Sequence, residues 1–96
     1  SALEDAGYVV IEAATAAEAL AVLRTERSVD LLFTDIRMPG GIDGWSLAER
    51  ARGLRPTLPV IYATGYTMET PRQVSDSRFI VKPYRPSAIL RLAEEL

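Results

Sequence analysis

The chain has 96 residues, 48% hydrophobic and 25% charged, with 11 basic against 13 acidic side chains and a net charge of −2. It contains no Cys and no His, so its own side chains offer no disulfide, no thiolate or imidazole metal site and no thiol or imidazole catalysis. The near balance of charge speaks against a nucleic-acid groove, which needs a basic stripe. The apolar content suits one packed domain near the low end of the common size range. No apolar run approaches the roughly 20 residues of a bilayer span. Ser1-Ala2-Leu3-Glu4-Asp5-Ala6 is helical and acidic rather than a signal peptide, so a cytoplasmic location is expected.

In chain order, residues 2–6 read as the tail of a helix closed by Gly7. Tyr8-Val9-Val10-Ile11 is a β-branched strand. Thr15-Ala16-Ala17-Glu18 fits a capping box, and the helix it opens sets Ala16, Ala19, Leu20 and Leu23 on one face. Residues 30–34 form the next strand, followed by Asp35 and a Met38-Pro39-Gly40-Gly41 break. Asp43 caps a helix over about 44–54, with Leu47, Ala48, Ala51 and Leu54 inward. Residues 59–63 are a strand with Pro59 at its entry. Residues 67–76 are weakly patterned and Pro71 interrupts any helix there. Phe79-Ile80-Val81-Lys82 is the last strand. Pro86 suits the first turn of a final helix that aligns Ile89, Leu92, Ala93 and Leu96.

Strands alternating with helices imply βαβ units, a mostly parallel sheet and helices on both faces. Such sheets bind ligands at the carboxyl ends of their strands. Three consecutive strand ends carry complementary groups: a carboxylate at Asp35, a hydroxyl at Thr64 and an ammonium at Lys82. Each has an ordinary reading too. Asp35 can cap its turn, Thr64 can be a turn residue before Gly65, and Lys82 can be solvated. Met38 and Trp45 read as packing residues, Arg50, Arg52 and Arg55 as a solvated helix face, and Tyr84 as a ring buried beside the Pro83 turn.

Taken together, Asp35-Ile36-Arg37-Met38-Pro39-Gly40, Asp43-Gly44, Ala63-Thr64-Gly65 and Lys82-Pro83-Tyr84 resemble the receiver domain of two-component response regulators, in the right order over essentially all 96 residues. Tyr62-Ala63-Thr64-Gly65-Tyr66 is similar to a receiver subgroup whose fourth strand ends in Phe-Ala-Thr-Gly-Tyr. The resemblance implies a flavodoxin-like (CheY-like) α/β fold and a signalling module rather than an enzyme. It implies that Asp35 is a phosphoacceptor loaded by a histidine kinase or a His phosphotransfer protein, with Lys82 and Thr64 binding the phosphoryl oxygens. It implies a cis Lys82–Pro83 peptide, and Mg²⁺ held by Asp35, the backbone carbonyl of Arg37 and an acidic pair. Thr64 and Phe79 would form the switch, acting on the face made by the last strand, residues 67–76 and residues 86–96.

The resemblance also exposes a departure. The acidic pair and the first strand of a receiver would precede Ser1, so residues 1–96 read as second strand to last helix of an N-terminally incomplete domain. Glu4 and Asp5 are no substitute, and Mg²⁺ affinity is expected to be weak or absent. In the order 2-1-3-4-5 the first strand separates the second from the third. Without it, residues 8–11 and 31–34 are expected either to keep an unpaired edge each or to be forced together. Three explanations stand: a longer protein, a domain rebuilt by pairing with another copy (a homodimer), or a truncated receiver that is not phosphorylated. The alternative function is thus a degenerate receiver that regulates a partner by docking alone. A haloacid dehalogenase-type phosphatase wants a second Asp where Arg37 stands, and a flavodoxin wants a Ser/Thr-rich phosphate loop that does not follow these strands.

Overall fold

A computed structural model of the chain describes residues 2–12, 15–37, 42–65 and 73–96. The 38–41 break, Met38 as a packing residue and the part of the 67–76 segment up to residue 72 lie outside the described residues. The chain order is α1 (Ala2–Asp5), β1 (Val10–Glu12), α2 (Ala16–Leu23), β2 (Leu31–Asp35), α3 (Gly44–Leu54), β3 (Val60–Thr64), β4 (Arg78–Val81) and α4 (Pro86–Glu95).

Local chemistry sets most of these limits. Gly7 takes φ +94°, the left-handed conformation that ends α1. The Thr15 hydroxyl accepts the Glu18 N–H at 3.2 Å at the start of α2. Asp43 Oδ1 accepts the Ser46 N–H at 2.8 Å at the start of α3. Pro86 occupies the first turn of α4, where its missing N–H costs nothing.

The sheet is parallel throughout, in the order β1-β2-β3-β4. Of the two expectations for the strands at 8–11 and 31–34, the direct pairing holds: Val10, Ile11 and Glu12 lie opposite Leu31, Leu32 and Phe33. The strand begins later than the β-branched run suggests. Tyr8 and Val9 precede the ladder, and Val9 is held by Asp30 instead. Its N–H donates to Asp30 Oδ2 at 2.7 Å, and its carbonyl accepts the Asp30 N–H at 2.8 Å.

Alternation along the strands sends side chains to two faces. Ile11, Leu32, Val60 and Tyr62 pack with Ala19, Leu20 and Leu23 of α2 and Leu47, Ala48 and Ala51 of α3. Leu31 and Ile61 pack on the other face with Leu3 of α1 and Ile89 and Ala93 of α4. Each helix therefore buries its apolar stripe against strand residues of matching parity.

Two expectations about α3 need correction. Leu54 is 43% exposed, so the inward stripe ends at Ala51 because the core does not cover the last turn. Arg52 and Arg55 are not a solvated face: both are half-buried and tied to backbone carbonyls. Arg52 Nε donates to Leu58 O at 2.6 Å and its Nη1 to Ser75 O at 2.7 Å. Arg55 donates to Leu23 O and Thr25 O, satisfying carbonyls where α2 ends. Only Arg50 of the three remains exposed without such a tie among the described contacts.

Candidate functional site

The parallel register brings the strand ends together. Asp35, the last residue of β2, lies opposite Ala63, and Thr64, the last of β3, lies opposite Val81. One residue beyond each strand the chain is still tied to its neighbour. The Ile36 N–H donates to Ala63 O at 3.1 Å and the Lys82 N–H to Thr64 O at 2.7 Å. The carboxylate, hydroxyl and ammonium residues thus sit at one rim. A cleft of about 220 Å³ there is lined by Asp35, Arg37, Ala63, Thr64, Gly65 and Lys82.

Within it, Lys82 Nζ pairs with Asp35 Oδ1 at 2.5 Å, and both side chains are about half exposed. Thr64 is 4% exposed and forms the floor between them, as β3 lies between β2 and β4. Among the described residues that line the cleft, two are cationic and one is anionic. The Lys82–Pro83 peptide bond is cis, and Pro83 is exposed outside the cleft. Phe79 does not line the cleft either. It pairs with Tyr62 in the β3–β4 ladder and packs, half-buried, against the core on the α2/α3 face. The Tyr84 ring is half-buried and tilted at 51° to Phe33, with centroids 5.8 Å apart.

Three further residues, Gly44, Thr34 and Tyr62, lie behind the rim and hold it in place. Gly44, the first residue of α3, donates its N–H to Ile36 O at 2.6 Å. A Cβ on Gly44 would overlap the Asp35 carbonyl oxygen and lie 2.8 Å from Ile36 Cα. The signal was present as a Gly at a helical position, where Ala is the better helix former. Thr34 is buried and its hydroxyl donates to the Asp35 carbonyl oxygen at 2.9 Å.

Tyr62 is fully buried, its ring 4.6 Å from that of Trp45, and its hydroxyl accepts the Val74 N–H at 3.1 Å. Burial pushes its phenol above the usual tyrosine range, against the hydrogen bond from Val74, which lowers it. Trp45 is itself buried as a packing residue. Nothing in the sequence pattern marks the Tyr62–Val74 bond, because Val74 lies outside any helix or strand, in the segment before β4.

The described residues do not fit a Mg²⁺ site by themselves. Among them no three Asp, Glu, His or Cys side chains gather, and Asp35, the one carboxylate of the cleft, is already paired with an ammonium. A hard cation that takes about six oxygens needs a richer donor set. Among the described residues, no helix is long and apolar enough to cross a membrane.

A parallel sheet flanked by helices, with this rim at its carboxyl end, defines a CheY-like α/β fold. The chain belongs to the response regulator receiver domain family, whose sequence profile matches residues 1–94. It is 37% identical, over 97% of its length and 74% of the relative's, to an uncharacterized 14.6 kDa protein of Leptolyngbya boryana. It is 33% identical to the response regulator receiver protein CpdR of Brucella abortus, covering 99% of this chain and 81% of CpdR. The crystal structure of a response regulator receiver protein from Sinorhizobium medicae matches with a TM-score of 0.86 at 29% identity, over 98% of this chain and 77% of that one. Receiver domains act with histidine kinases or phosphotransfer proteins, and the family generally binds Mg²⁺.

Proposed function

We propose that this receiver domain accepts a phosphoryl group on Asp35 from a histidine kinase or His phosphotransfer protein, and that the modified domain changes its affinity for a partner. The observation that carries this reading is the pairing of Asp35 with Lys82 at 2.5 Å in an open cleft that also contains Thr64. A carboxylate oxygen of Asp35 attacks the phosphorus of a phosphohistidine. The P–N bond breaks, its electron pair leaves with the imidazole nitrogen, and the new O–P bond makes an aspartyl phosphate. These 96 residues hold no His, so the phosphohistidine lies outside them.

Phosphoryl transfer asks the protein mainly for positioning and for charge to balance the equatorial oxygens. Asp35 Oδ1 faces Lys82, which leaves the attack to Oδ2. As the bond forms, the ammonium passes from the carboxylate to a phosphoryl oxygen, and the Thr64 hydroxyl is at hand for another. Thr64 and Phe79 project to the same sheet face from β3 and β4, so a shift of one alters the packing of the other. This would bias a two-state equilibrium toward the partner-binding form. In this reading residues 1–96 run from the second strand to the last helix of the domain, and the protein works in the cytoplasm.

The test is incubation with ³²P-labelled acetyl phosphate or a labelled phosphohistidine donor. One alkali-labile label per chain is expected, absent in Asp35→Asn. Label that survives in Asp35→Asn, or no label on wild type, sinks the reading. A docking-only receiver is the second reading, favoured by the single carboxylate among the described residues of the cleft. It predicts partner binding that is the same in wild type and Asp35→Asn with or without donor.

A further inference from the structure

We infer that Arg52 and Tyr62 form a latch at the base of the sheet that fixes the position of β4, the strand that delivers Lys82 to the cleft at the opposite end. The turn at 74–77 runs directly into β4. Ser77 closes it from within, its hydroxyl donating to Val74 O at 2.7 Å. Asp76 in this turn takes φ +52°, a left-handed conformation that a non-glycine residue keeps only where its surroundings hold it.

The hold comes from outside the turn. Arg52 of α3 donates from Nη1 to Ser75 O at 2.7 Å and from Nη2 to Asp76 O at 3.3 Å. Its Nε donates to Leu58 O at 2.6 Å, just before β3. One planar guanidinium thus ties the turn to the entry of β3, a task for which an ammonium lacks the fork. Tyr62 of β3 grips the same segment at two points. Its hydroxyl accepts the Val74 N–H at 3.1 Å, and its backbone lies opposite Phe79 in the ladder. Burial raises the Tyr62 phenol while the Val74 N–H and the Arg52 charge draw it down, so the guanidinium acts on that hydroxyl as well as on the turn. Other anchors of β4 are weaker. It is an edge strand with β3 as its one neighbour in the sheet. The Arg78–Glu95 pair that ties it to α4 has side chains 35% and 46% exposed, and such pairs contribute little. The Tyr62 bond, by contrast, stands on a fully buried ring.

The experiment is amide hydrogen exchange in wild type, Arg52→Gln and Arg52→Lys, read at three N–H groups. Val74 reports the turn. Lys82, bonded to Thr64 O at 2.7 Å, reports the far end of β4, and Ile36, bonded to Ala63 O at 3.1 Å, reports the β2–β3 junction. Arg52→Gln is expected to speed exchange at Val74 and Lys82 by a common factor of roughly tenfold, the scale of a charge-assisted hydrogen bond, with Ile36 unchanged. Arg52→Lys keeps the charge without the fork and is expected to show the same pattern at a smaller factor; it decides alone if Arg52→Gln does not fold. Faster exchange at Val74 with Lys82 unchanged overturns the inference, because the turn then moves without β4. Equal acceleration at all three sites overturns it as well, since that is a loss of global stability, and so does no acceleration at any. None of these readouts involves phosphoryl transfer, so the outcome is independent of the phosphoacceptor reading.

Discussion

Gly44 packs its α-carbon against the carbonyl oxygen of Asp35 so closely that the space holds no side chain. The first turn of α3 is thus the back wall of the strand end that carries the carboxylate. Gly44→Ala gains helix propensity, worth about 1 kcal/mol. It also forces a methyl into backbone that cannot yield cheaply, at about 1–3 kcal/mol. A net loss of stability is expected from the urea midpoint, together with slower labelling of Asp35. A Gly44→Ala protein more stable than wild type would show that the close approach is not a constraint.

Thr64 is buried at the rim while Asp35 and Lys82 are half exposed. Thr64→Ala is expected to keep phosphoryl acceptance, since the nucleophile and the ammonium remain, but to lose the link from the site to the packing around Phe79. Removing one hydrogen bond of about 1 kcal/mol should weaken partner binding by the phosphorylated form about fivefold. Equal partner affinity for phosphorylated wild type and Thr64→Ala, by titration calorimetry, would refute the coupling.

Burial holds the Tyr62 phenol above its ordinary value of 10.0. The folded state therefore keeps this proton at a pH where the unfolded chain has released it. Its contribution to stability is fully present below pH 10.0 and is lost as pH rises through the folded-state value. Tyr62→Phe keeps the ring against Trp45 but leaves the Val74 N–H without its acceptor. The expected cost is about 1–3 kcal/mol at neutral pH, with a smaller loss of stability above pH 10.0 than wild type shows. Urea midpoints across that range, followed by Trp45 fluorescence, decide it; parallel pH curves for the two proteins would contradict the assignment.

Asp30 clamps Val9 through both its backbone N–H and its carboxylate. β1 is a three-residue strand with one neighbour, so the clamp is a large share of what fixes its start. Asp30→Ala is expected to cost about 1 kcal/mol or less, because the site is exposed. It should also speed hydrogen exchange at Val9 and in β1 while leaving β3 unchanged. Unaltered exchange at Val9 would mean that the carboxylate is not a working acceptor.

What could be read from the residues was whatever depends on near neighbours. The bounds of α3, its Asp43 cap and the apolar stripe of α2 come from hydrogen bonds and periodicity within a few residues, so they were legible. The order of Asp35, Thr64 and Lys82 at strand ends was legible as well, since β-branched runs and the breaks after them mark where strands stop. Which segments become neighbours was not. The choice of direct β1–β2 pairing over two open edges, the carbonyls that capture Arg52 and Arg55, the Val74 amide that meets Tyr62 and the backbone that leaves Gly44 no room all join residues distant along the chain. Amino-acid pattern says which groups want partners; only packing in three dimensions decides which partner arrives, because burial and hydrogen-bond satisfaction are properties of the whole fold.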